Sequence, residues 1–203
     1  RGVPELVLWL VCRILVPHLA ASEITDGNVN FSFAIRTTAG GKALFLKAAE
    51  PFLKWQPLMA LERERMAREM QYFADARAAI GAELADKHLP RVLHFDRERT
   101  FVIMDYLHEH RVLFDELFDV GTMPAAAAVG LGTYLGTLHA RTMGRQPGEP
   151  AAAAAQRAVD YWNPALRAVQ LEHVFSACFE RSEHGRELAA EPRLMAEVAL
   201  LRA

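Results

Sequence analysis

Two cysteines in 203 residues, Cys12 and Cys178, are too few and too far apart for a disulfide framework, and neither belongs to a C-x-x-C metal or redox pair. A reducing compartment, cytoplasmic by default, is therefore the expectation. Excess positive charge is lacking too: the formal net charge is −2, so no basic field draws the chain to nucleic acid. The expected partner is a small molecule or another protein. Long apolar runs are missing as well. The best candidate, residues 6–12, is broken by Arg13 and closed by Pro17, and an apolar stretch of roughly 10–14 residues is more often a core helix or a signal h-region than a membrane span. A docked helix over residues 1–22 is expected, with no membrane span. Because the chain begins at Arg1 and not at Met, a removed targeting segment leading to an organelle stays open. His18, His88, His94, His108, His110, His139 and His173 have no metal-ligand spacing. No Ser/His/Asp or Cys/His nucleophile arrangement is legible either. What is present, 52% hydrophobic residues with eleven Phe and three Trp, argues against disorder and for a real core, as one large domain or two small lobes.

The organisation changes along the chain. Residues 23–25 lead into the turn signal Asp26-Gly27-Asn28, and the alternation Val29, Phe31, Phe33, Ile35 marks a strand over residues 28–37. A turn at residues 39–42 and a strand over residues 43–48 complete a hairpin. Residues 51–57 connect to residues 61–80, where Leu61, Met66, Met70 and Phe73 among Glu and Arg have amphipathic helix spacing that stops near Gly81. Residues 88–95 and 99–104 read as two more strands. Beyond Leu107 the pattern turns helical, over residues 112–120, 124–142 and 161–175, with residues 144–155 as a linker or frayed end. The fold class is α+β: an antiparallel sheet with one helix, followed by helices. The divisions are an N-terminal helix (1–22), a sheet-and-helix lobe (23–107) and a helical region (108–203).

Asp26-Gly27-Asn28 has two readings, a hairpin corner and a loop whose backbone N–H groups cradle phosphate. Lys47 likewise has two. It lies among Leu44, Phe45, Leu46 and Ala48, and either snorkels to solvent from its strand or pairs with an anion on the following helix. Glu69 is the right residue in the right element, with Glu62 and Glu64 competing. A turn, a strand Lys, a helix Glu and a last strand ending in a polar crossing segment form, in that order, the nucleotide lobe of a kinase. There the Lys holds phosphate oxygens and the Glu holds the Lys. No G-x-G-x-x-G occurs, which speaks against an ordinary protein kinase.

These segments resemble one family, the 5-methylthioribose kinases, whose fold is similar to that of aminoglycoside phosphotransferases. The match is carried by E-I-T-D-G-N-V-N-F-S-F at residues 23–33, F-L-K-A-A-E-P at 45–51, W-Q-P-L at 55–58, R-M-A-R-E at 65–69, L-P-R-V at 89–92 with H-F-D at 94–96, and M-D-Y-L at 104–107, and more weakly by Asn163, Leu166 and residues 173–176. The resemblance implies a protein-kinase-like nucleotide lobe followed by the first helices of a helical lobe, an incomplete kinase fold. It implies ATP held by Asp26, Gly27, Asn28, Lys47 and Glu69 and by the hinge residues Asp105, Tyr106 and Leu107. With Mg²⁺, the γ-phosphoryl group of ATP would pass to the 1-hydroxyl of a small sugar, a step of methionine salvage.

Departures from the family pattern limit this. The catalytic H-G-D loop and a later metal-binding D-x-E have no counterpart; His184-Gly185-Arg186 puts a cation where a carboxylate must act and reads as a surface turn. Phe114-Asp115-Glu116 replaces an Arg-Lys pair, and Ala48-Ala49-Glu50 replaces a Gln-Ala pair. No catalytic residue and no metal ligand is therefore assigned, and ATP binding by this chain alone is doubtful. The alternative function is a degenerate, inactive kinase-fold module that binds or supports a larger assembly. The partners are then a nucleotide and sugar, or a protein partner or the remaining half of a kinase.

Overall fold

The computed structural model describes residues 19–37, 43–107, 109–144, 146–174 and 176–202. The chain divides between Asp160 and Tyr161 into two compact units. Its first unit is built on a five-stranded antiparallel sheet, β1 (Leu19–Ile24), β2 (Phe31–Thr37), β3 (Leu44–Ala48), β4 (Val92–Asp96) and β5 (Phe101–Asp105), in the order β1-β2-β3-β5-β4. Between β3 and β4 run α1 (Arg65–Ile80) and α2 (Ala82–His88), and after β5 come α3 (Leu113–Val120), α4 (Ala125–Thr142) and α5 (Ala151–Asp160). The second unit holds α6 (Pro164–Val169), a π-helical turn over Gln170–Val174, α7 (Ala177–Arg181), α8 (Glu183–Ala189) and α9 (Pro192–Arg202). The α+β class read from the sequence is therefore correct.

Side-chain alternation divides the sheet between two cores. Phe33, Ile35, Leu46 and Ala48 cluster on one face. Val102 and Met104 face the other way, join Ala49 and Met66, and meet Phe45, Met70 and Phe73, so the apolar stripe of α1 covers that face. The register carries a row across four strands: Ile24 faces Ser32, Ser32 faces Lys47, and Lys47 faces Val102. At the other end of β3, Leu44 faces Asp105. Thr100 enters β5 with φ 57, uncommon for a non-glycine residue. It is held there by its hydroxyl, which donates to Ala49 O at 2.9 Å, and by its carbonyl, which accepts from Ala49 N at 3.0 Å.

Several expectations need correction. Leu19–Ile24 is a strand paired along its length with β2, so residues 19–22 belong to the sheet and not to the helix expected over 1–22, whose remaining residues lie outside those described. The turn at residues 39–42 also lies outside them. β1 makes five strands where four were expected; Leu19-Ala20-Ala21-Ser22 has weak strand propensity, and pairing with β2 overrides it. α1 starts at Arg65 because residues 61–64 form a turn in which Leu61 N–H donates to Pro51 O at 3.0 Å. His88 closes the helix α2 and does not open a strand; Gly81, at φ 84, breaks α1, the good helix formers of Ala82–His88 restart it around the fully buried Ala85, and β4 waits until Val92, beyond Pro90. Residues 151–155 are not linker but the start of α5, as five consecutive alanines dictate. His184 and Gly185 are not a surface turn: they lie in α8, capped by Ser182, whose Oγ accepts from Gly185 N–H at 2.8 Å. A Cβ on Gly185 would stand 1.9 Å from Cys178 O, so only glycine permits this approach of α8 to α7.

Candidate functional site

Lys47 leaves the central strand β3 on the face covered by α1, and Glu69 lies one turn into that helix. The ammonium donates to both carboxylate oxygens, at 2.7 and 2.8 Å, with each side chain about three-quarters buried. The competition is settled by geometry: Glu62 faces Arg68 at 3.6 Å and Glu64 binds Arg97 at 2.6 Å, both in exposed positions. The carboxylate fixes the ammonium in place and leaves its third proton for another acceptor.

The turn after β1 leaves from the row of Lys47, since Ile24, the last residue of β1, lies on that row with Ser32 of β2 between them, roughly 10 Å away. Asp26 is exposed, and Gly27 has room for a Cβ, which would meet Asn30 O at an ordinary 3.5 Å. The turn is fastened from below by the segment after β3: Trp55 N–H donates to Asn28 O at 3.2 Å and Lys54 N–H to Val29 O at 3.4 Å. The Lys54 ammonium pairs with Glu23 at 2.8 Å, donates to Ile24 O at 3.4 Å, and lies 5.6 Å from the centre of the Phe31 ring.

The hinge residues occupy the opposite end of β5. Asp105 is clamped by Arg91 through two bonds at 3.0 and 3.2 Å, and this pairing raises the guanidinium's pKa. The Arg36 guanidinium stands 5.8 Å from the centre of the Tyr106 ring. Leu107 is half exposed and accepts from His110 N–H at 3.1 Å. The structure thus brings Lys47 and Glu69 together, sets Asp26, Gly27 and Asn28 at one end of the sheet, and sets Asp105 three residues along β5 from Val102, the cross-strand partner of Lys47, a span of about 10 Å, with Tyr106 and Leu107 following the strand.

The sequence reading assigned no role to the buried polar group beneath the turn. Arg65 is 7% exposed; its Nε donates to Asn30 Oδ1 at 2.8 Å and its Nη1 to Leu61 O and Glu62 O at 3.2 and 2.7 Å. Burial, partly offset by Glu50, lowers its pKa to about 10, so it stays charged at neutral pH. Glu50, 5% exposed, accepts from Arg63 at 2.9 Å. The signal was present in two quoted segments, since Asn30 ends D-G-N-V-N and Arg65 opens R-M-A-R-E. A second missed contact joins α1 to α4: the Tyr72 and Tyr134 hydroxyls share a short hydrogen bond, and Tyr134, raised in pKa first by burial and then by Tyr72, stacks at 5.4 Å on the His88 ring. No group of three His, Cys, Asp or Glu among the described residues is placed to hold a metal ion. No described helix is long and apolar enough to cross a membrane.

No family model matches the chain. Curated proteins do match it. A methylthioribose kinase of Yersinia pestis strain Pestoides F is 31% identical over 190 residues, covering 91% of this chain and 43% of the relative. A methylthioribose kinase of Yersinia pseudotuberculosis strain YPIII is 30% identical over the same length, and one of Pectobacterium carotovorum strain PC1 is 30% identical over 155 residues, 73% of this chain and 35% of the relative. The chain therefore spans less than half the length of the curated relatives it matches. The motif resemblance and these matches agree, and the chain is a relative of the methylthioribose kinases that corresponds to their N-terminal part.

Proposed function

We propose that the chain is the nucleotide-binding portion of an ATP-dependent kinase that phosphorylates a small sugar of the methylthioribose type. The observation that carries this is the two-pronged Lys47–Glu69 pair, placed on the row next to the Asp26–Asn28 turn. Phosphates would lie along the backbone of that turn and the Lys47 ammonium, and the base would lie about 10 Å away against the Asp105–Leu107 backbone, a separation that suits a nucleotide lying along β3 and β5. Residues 23–107 would form the nucleotide lobe, with β1 adding residues 19–22, and residues 108–203 part of a helical lobe. Mg²⁺, when bound with ATP, would neutralise charge on the transferred phosphoryl group. The described residues present no group of three carboxylates, His or Cys for the ion, and the chain contains no H-G-D segment to orient a hydroxyl. A cytoplasmic setting accords with only two cysteines.

The test is a calorimetric titration of ATP into the purified chain, with a coupled ADP-release assay on methylthioribose. Weak binding, no turnover, and loss of binding in Lys47→Ala with the fold intact are expected. An affinity unchanged by Lys47→Ala would overturn the site. A second reading, an inactive module that binds a protein, is favoured by Phe114 and Phe118, exposed and stacked at 4.3 Å on α3. Absence of nucleotide binding in the unmutated chain would select it.

A further inference from the structure

We propose that Arg65 is the positioning residue of the turn that follows β1: through Asn30 it locks that turn to the start of the helix bearing Glu69, so the turn and the Lys47–Glu69 pair keep one fixed spacing. This rests on the nucleotide reading only for its functional consequence; the mechanical claim stands on the contacts themselves. Arg65 is the most deeply buried cation among the described residues, and a guanidinium is kept in such a place at a desolvation cost that hydrogen bonds must offset. Three of them are visible. Two go to the carbonyls of Leu61 and Glu62, which fixes the guanidinium against the turn that opens α1. The third leaves the helix altogether and reaches 35 residues back to Asn30 Oδ1.

That third bond sets more than a distance. With Oδ1 occupied, the amide of Asn30 is held in one of its two flip states, leaving the amine of the side chain as its remaining donor. Asn30 lies two residues beyond Asn28 and next to Val29, whose carbonyls receive the Trp55 and Lys54 N–H groups. Arg65 and the 54–55 segment therefore hold the turn from two sides. Glu69 is four residues beyond Arg65, one helical turn along the same face, so a displacement of α1 moves both anchors together. Glu50 and Glu69 both act electrostatically on Arg65, and Arg63 opposes them. Arg65 Nη2 has no hydrogen-bond partner among the described residues. Lysine cannot replace this arrangement, because one ammonium lacks the planar fork that serves the helix carbonyls and the amide at once.

The experiment is hydrogen exchange on the unliganded chain, read at the Lys54 and Trp55 amides, alongside ATP titration. In Arg65→Lys these two amides should exchange about tenfold faster while the amides of β3 and β5 keep their protection, and ATP affinity should fall about tenfold. Asn30→Ala should reproduce both effects, Asn30→Asp should restore protection, and adding Arg65→Lys to Asn30→Ala should add nothing further. Asn30→Ala decides the matter should Arg65→Lys fail to fold. Unchanged exchange at Lys54 and Trp55 in a folded Asn30→Ala variant overturns the proposal, as does equal acceleration throughout the sheet. A chain that shows the local acceleration yet binds no ATP supports Arg65 as the anchor of the turn and refutes the nucleotide reading instead.

Discussion

The sheet region and the helices that follow it spend their apolar residues differently. In residues 19–105 a set of large side chains closes on itself, with Leu46, Leu53, Met66 and Val102 almost without exposure, while Leu58 and Trp55 stand out into solvent. In the helices after residue 112, Phe114, Phe118, Val129, Leu200 and Leu201 lie mostly in solvent, and α5 and α6 have no buried residue. The difference follows from how each element satisfies its backbone. A strand can pair only with another segment, and a register that pairs the backbone also brings alternate side chains into shared layers. A helix closes its hydrogen bonds within itself, so its backbone is satisfied without a neighbouring segment even where part of its apolar face stays uncovered. In the first region backbone pairing and side-chain packing are thus tied together, whereas in the second the backbone is satisfied locally and packing is confined to a few positions such as Tyr134 and Leu138.

Truncation at matched apolar positions gives the largest test of that contrast. Leu46→Ala should cost roughly 2–5 kcal/mol in urea unfolding, as for a fully buried leucine, whereas Phe118→Ala should fall within about 0.5 kcal/mol. Equal costs would abolish the contrast. A smaller effect is expected at the contact between α1 and α4. Tyr72→Phe and Tyr134→Phe should each cost about 1 kcal/mol, and the double variant should cost clearly less than the sum, because both remove the same bond. Full additivity would show that α4 is not fastened to the sheet region through these hydroxyls.

The smallest effect concerns the β4–β5 turn. Asp96 accepts from the Arg99 backbone N–H at 2.8 Å and from its guanidinium at 3.0 Å, which holds the carboxyl below its ordinary 3.8. A depressed carboxyl stabilises the fold above its unfolded pKa, and that contribution is lost as pH falls through the folded value. Asp96→Asn should therefore cost about 1 kcal/mol or less at neutral pH, and the cost should shrink as pH falls below the ordinary carboxylate range. A cost independent of pH would assign the effect to the turn's shape and not to the carboxylate's charge.

Legibility in the sequence tracks the same contrast. Phe33, Ile35, Leu46 and Val102 were readable because period-two alternation and burial agree. The Lys47–Glu69 contact was readable because a lone cation in an apolar strand needs a partner, and the family motif named one. β1 was not readable, because Ala20 and Ala21 carry no strand signal of their own and the pairing that makes them a strand comes from β2. Residues 151–155 were read as linker or frayed end because nearby Pro147, Gly148 and Pro150 interrupt the pattern, while the alanines after them have the highest helix propensity. Arg65 and Asn30 escaped because their partnership spans 35 positions and depends on the turn at residues 61–64, which no local pattern announces.

The pairing of Lys47 with both oxygens of Glu69 has a consequence for how α1 can move. The rise per residue of a helix is about 1.5 Å, while a hydrogen bond at 2.7 Å is lost once the atoms part by about 1 Å. A slide of α1 by a single residue therefore cannot be absorbed by stretching. It can be followed only if the Lys47 and Glu69 side chains change rotamer to close the gap. With the cation on the third strand of five, each setting of α1 that keeps both prongs needs its own pair of side-chain conformations, so the pair acts as a gauge of where the helix lies on the sheet.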